Sequence, residues 1–146
     1  MKNTTTLKAF VFAAALLIVS SVSAQKNKFI EGKKYNVQFY EMKPTGRGKA
    51  IASNFLVKGG KVESDLMYEK MTLGPAAYKV TLDTTYTEDE TEIHMVKLEA
   101  EQKDDKNEYK WEVTVSNYDI EGTCVQTKSG VEKKRFEFAG SEKTKK

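Results

Sequence analysis

The sequence predicts an all-β protein: an antiparallel, up-and-down barrel of about eight strands, with a β-sandwich as the alternative. Three observations predict it. Apolar side chains recur at every second residue through most of the chain, the period of a strand with one buried and one wet face. Turn sequences such as Gly59-Gly60 and Lys128-Ser129-Gly130 separate these runs, as hairpins require. Helical signals are scarce beyond residue 24, and Gly74-Pro75 stops any helix begun over Asp65 to Met71.

Residues 1–24 stand apart from the strands. Lys2 and Lys8 precede Ala9 to Val19, an unbroken apolar run of 11 residues, and Ser20-Ser21-Val22-Ser23-Ala24 follows it. A basic start, a short apolar centre and small residues at the end form the layout of a secretory signal peptide. A spanning helix needs about 20 apolar residues to cross roughly 30 Å of hydrocarbon, so a membrane span is not expected. Cleavage near Ala24, with no cysteine there to carry lipid, predicts a free secreted or periplasmic protein. Losing Lys2 and Lys8 brings the formal charge from +3 to +1. Charge so near zero, with both signs interspersed, gives no basic stripe for nucleic acid.

The expected domain covers 25–140. Tyr35, Val37 and Phe39 alternate with polar residues in a first strand, and Phe55 and Val57 follow. Past Gly59-Gly60 come Val62, Ser64 and Leu66, then the one long irregular connection from Leu66 to Tyr78. Tyr78 to Tyr86 is the clearest alternation, placing Tyr78, Val80, Leu82 and Tyr86 on one face. After the acidic turn Glu88-Asp89-Glu90, Val96, Leu98 and Ala100 share a face while Ile93 and Met95 fall on the other. A one-residue bulge near His94 would reconcile them. Tyr109, Trp111, Val113 and Val115 form the next strand; Ile120 to Cys124 and Phe136 to Phe138 complete the series. Residues 141–146, with Lys143, Lys145 and Lys146, read as a basic disordered tail. Sequential hairpins favour a barrel, since sandwiches need longer crossover connections.

A signal peptide, a chain of this size and an eight-strand hairpin series resemble the lipocalin-like (calycin) barrels over most of Lys33 to Gly140. The resemblance implies a barrel that holds a small apolar molecule. The Gly-x-Trp that opens true lipocalins is absent: Gly32-Lys33-Lys34-Tyr35 stands there, and one cysteine precludes the family disulfide. No functional residue is carried over. The stretch from Ile120 to Gly130 is also similar to segments of small secreted bacterial proteins of unassigned function.

Chemistry is sparse. His94 is the only histidine and Cys124 the only cysteine, too few for an imidazole or thiolate metal site. Nothing brings them together as a nucleophile pair. The acidic runs at Glu88-Asp89-Glu90 and Asp104-Asp105 lack calcium-loop spacing. Gly46-Arg47-Gly48-Lys49 and Lys58-Gly59-Gly60-Lys61 lack the pattern of a phosphate loop. No catalytic residue, metal or cofactor is therefore expected, and no enzyme. The candidate ligand-binding residues are the inward aromatics Tyr35, Phe39, Tyr78, Tyr86 and Trp111. An eight-stranded barrel is filled by such side chains or holds one small ligand. Two functions follow, a carrier of a small apolar ligand or a filled barrel meeting an envelope protein partner through the Leu66 to Tyr78 connection, with an enzyme using carboxylates alone as a third and less supported alternative.

Overall fold

A computed structural model describes residues 26–143. The expected signal peptide, residues 1–24, and the tail residues 144–146 lie outside the described residues. The chain forms β1 (Lys34–Lys43), β2 (Gly46–Arg47), β3 (Ile51–Lys58), β4 (Lys61–Ser64), α1 (Asp65–Met71), β5 (Ala76–Glu88), β6 (Thr91–Lys103), β7 (Glu108–Ser116), β8 (Asp119–Lys128) and β9 (Val131–Glu142). All strands belong to one antiparallel sheet; β2 apart, neighbours in sequence are neighbours in space, and β9 returns to pair with β1. The all-β, up-and-down reading therefore holds. Eight strands close a ring of hydrogen bonds that is not evenly disposed about an axis, and β2 is a two-residue addition beside the end of β1.

Alternation drives the closure. Tyr35, Val37 and Phe39 of β1, Phe55 and Val57 of β3, Trp111, Val113 and Val115 of β7 and Phe136 and Phe138 of β9 are all buried. Hiding these faces leaves water only the polar parity of each strand. β9 runs to Glu142, and Lys143 N donates to Lys34 O at 2.8 Å, so the closing ladder takes in the first residues of the expected tail. Gly140 permits that closure. A Cβ there would fall on Asn36 O and the Val37 Cα of the neighbouring strand.

The ring is stoppered at both ends. At one, Asn27 Oδ1 accepts from Phe29 N (3.0 Å) and Ile30 N (3.3 Å), folding residues 27–33 so that Ile30 is fully buried. At the other sits α1. Ser64 caps it, its Oγ accepting from Met67 N at 3.5 Å, while Ser53 Oγ accepts from Leu66 N at 3.0 Å. The helix stops where Thr72 turns left-handed, φ 57°. Leu66, Met67 and Leu73 are buried and Met71 packs against the core, so much of the connection expected as a contact surface is a plug. No helix among the described residues is long and apolar enough to cross a membrane.

One expectation is corrected. The bulge lies on β5 at Thr81, between the pairs Val80↔Leu98 and Leu82↔Lys97, and β6 runs regularly past His94. Val80 stays on the inward parity, whereas Leu82 and Tyr86 turn outward, 40% and 38% exposed. Paired residues share a face, so Thr84 sits with Met95 and Tyr86 with Ile93 on one face, while Asp83 and Thr85, themselves exposed, share the opposite face with Val96 and His94. The bulge thus spares Ile93 and Met95 the inward turn expected of them.

Candidate functional site

The five aromatics divide. Tyr35, Phe39 and Trp111 are fully buried or nearly so, Tyr78 is 6% exposed, and Tyr86 stands outside on the bulged strand. The rings inside fill the space between the strands. Phe55 stacks on Phe138 at 5.2 Å between centroids, Phe39 lies 4.9 Å from Phe138, and Trp111 meets Phe138 edge-on at 6.0 Å and Phe55 at 5.7 Å. Gly122 makes room for this cluster, since a Cβ there would lie 2.7 Å from Phe138 Cζ.

The buried polar atoms are mostly satisfied from the ring's two ends. Trp111 Nε1 donates to Gln102 Oε1 at 3.1 Å, and Gln102 Nε2 donates to Gly74 O at 2.7 Å, tying the single tryptophan to the loop after α1. Tyr78 Oη donates to Glu31 Oε2 at 2.8 Å and accepts from Asn27 N at 3.0 Å; burial pushes its hydroxyl up to about 12. Tyr35 Oη is buried without a hydrogen-bond partner among the described residues, and burial, then the Glu142 carboxylate, push it further up. Cys124 is buried and its thiol pushed up to about 12 by burial alone, so it stays protonated and packs as a small hydrophobe.

Beyond the ring stands an arm. Residues 82–88 of β5 pair with 91–97 of β6, and β7 flanks β6 only from Met95 onward. The tip turns through Asp89 and Glu90, both with positive φ (49° and 65°), the pattern of a type I′ hairpin. Asn117, in the turn between β7 and β8, supports the arm: its Oδ1 accepts from His94 N at 2.9 Å and its N donates to His94 O at 3.0 Å. At the inner base, His94 Nε2 lies 2.6 Å from Asp83 Oδ1, and Phe29 stacks on the imidazole at 3.9 Å. Asn27 Nδ2 donates to Asp83 Oδ2 at 2.8 Å. The same N-terminal segment that stoppers the ring is thereby clamped to the arm.

Two features give the arm a surface. Leu82, Tyr86, Ile93 and Met95 make an apolar stripe on its outer face, with Glu88, Asp89, Glu90 and Glu92 at the tip. β5 also has one bare side. Its pairing with β4 is limited to Ala76 and Ala77, and Tyr78 N donates to Gly60 O at 3.1 Å. Beyond that, β6 is its only backbone partner among the described residues.

Sequence reasoning singled out Tyr86 and missed its setting. The conflicting parities of Ile93 and Val96 signalled a bulge, but parity does not say which of two paired strands carries it. The Asp83–His94 contact required knowing the register.

A concavity of about 310 Å³ lies on the outer face of β6 to β9, lined by Glu101, Lys110, Glu112, Thr123, Val125 and Arg135. Among the described residues no three His, Cys, Asp or Glu side chains gather as a metal site. No protein-family model, curated protein or solved structure matches this chain.

Proposed function

We propose that this chain is an exported, non-catalytic binding protein of the cell envelope that acts through its surface, as a filled barrel whose working element is the β5–β6 arm. The observation that carries the reading is the packing of the ring. Trp111, Phe55, Phe138 and Phe39 already contact one another there, so a small apolar ligand would have to displace them. Losing the packing of one buried aromatic costs about 3–5 kcal/mol when it is truncated to alanine, a loss on that order that a weakly held molecule would have to offset. The arm has the opposite character: Leu82 and Tyr86 stay exposed although hiding them would be favourable. The side chains expected to bind a ligand then serve to hold the ring rigid, and Tyr86 serves contact.

Site-specific photo-cross-linking in the source cells tests this. A photoreactive residue replacing Tyr86 should give a discrete protein adduct that Leu82→Asp abolishes, and one replacing exposed Tyr68 on α1 should not. Equal labelling from both positions would overturn the reading. So would recovery of a small apolar molecule with the purified protein whose release changes Trp111 fluorescence.

A further inference from the structure

We infer that the partner of the arm is a second copy of this chain, added antiparallel to the bare side of β5 about a two-fold axis at Thr84. This rests on the arm being the working surface and names what meets it.

An unpaired strand edge is a template for another strand, and proteins usually blunt it with lysine, proline or a covering segment. From Val80 to Glu88 β5 has neither lysine nor proline. Four of its nine residues are threonine, which suits strands, and no described residue hydrogen-bonds its backbone on that side. Asp83, the charge best placed to repel a neighbour, is exposed but engaged by His94 and Asn27.

The edge is also self-complementary. Its bare stretch, Val80 to Glu88, has Thr84 as midpoint, so a two-fold axis there gives the longest ladder. Such an axis, normal to the sheet, keeps like faces together and sets Leu82 of each copy opposite Tyr86 of the other, as cross-strand pairs that strengthen a sheet. The half-exposed apolar residues of the arm would thus cover each other. Charge follows the same symmetry. The acidic tip, Glu88, Asp89 and Glu90, would lie beside the other copy's Lys79 and near Lys61, which is paired with Ala77 where the bare edge begins. The bulge at Thr81 falls near the end of this ladder, opposite Thr87 of the other copy, and the interface is isologous, so growth stops at two.

Sedimentation equilibrium of the protein recovered from its own cells should show a reversible dimer. Leu82→Lys with Tyr86→Lys, which sets like charges opposite each other twice, should weaken it at least about tenfold, whereas Leu82→Lys with Tyr86→Glu should restore it at low salt. As a geometric check, Thr84→Cys should form an intermolecular disulfide on mild oxidation far faster than Tyr68→Cys. A monomer at every attainable concentration, association unchanged by the double-lysine variant, or equal oxidation at both sites would overturn the inference. A monomer that still gave the Leu82-dependent adduct from position 86 would overturn the dimer alone. Loss of that dependence would overturn the arm as a working surface.

Discussion

His94 Nε2 lies 2.6 Å from Asp83 Oδ1, and the contact joins β6 to β5 on the inner face of the arm while Phe29 covers the imidazole. With the proton on Nε2 the ring donates to the carboxylate, which holds Asp83 below the usual carboxylate range; the bond to His94 is the main cause, and the amide of Asn27 helps. A carboxyl that ionises more readily in the folded chain stabilises it fully above the unfolded value of about 3.9. That contribution fades as pH falls through the lower, folded value. The pair is part-exposed, so its worth is below about 1 kcal/mol. In His94→Ala the Asp83 carboxyl carbon should titrate at higher pH by NMR, and the variant's stability deficit should vanish in strong acid. An unmoved titration would show that the contact does not form in solution.

Two buried tyrosines should answer the same substitution differently. Tyr78→Phe strips a donor from Glu31 and an acceptor from Asn27 N, and should cost about 1–2 kcal/mol in urea unfolding. Tyr35→Phe removes a buried hydroxyl with no partner among the described residues. Its expected effect is within about 0.5 kcal/mol or slightly stabilising. Equal losses in both would mean that Tyr35 has a partner in solution.

Gly140 is the most constrained of the glycines. In Gly140→Ala the new methyl meets the backbone of Asn36 and Val37, which no rotamer change relieves, so the β1–β9 ladder must part. The expected loss is about 3 kcal/mol or more. Gly74→Ala, with open space around it and no positive φ, should stay within about 0.5 kcal/mol of the parent. Thermal unfolding of the two side by side decides the matter.

Strand identity was legible because period-2 alternation is a local consequence of burying one face, and the eight alternating runs became the eight strands of the ring. What is not local was not legible. Leu66 continues the alternation of Val62 and Ser64, yet it lies in α1, because Ser64 caps a helix whose apolar residues find the open end of the ring. Leu82 and Tyr86 read as core by parity from Tyr78, and one extra residue at Thr81 reverses them. Of the aromatics that read as a ligand wall, Phe39 and Trp111 meet Phe138 and Tyr35 and Trp111 meet Phe55, contacts set by ring geometry and by the space at Gly122. Phe29 and Asn27 carried no periodic signal, so their clamp on the arm was invisible.

The two-residue junction of β4 with β5 gives the ring an unequal seam. Every other ladder between consecutive ring strands is longer, and β9 is zipped to β1 from Tyr35 to Met42. The two ends of the described chain are therefore fastened more firmly than two strands separated only by a short helix. Amide protons of β4 and of the first residues of β5 should be the earliest to exchange, with α1 acting as the hinge of whatever opening occurs. Formation should run the other way: local hairpins favour early assembly of β5 to β9, and loop-closure entropy delays the β1–β9 ladder, which joins residues about a hundred positions apart.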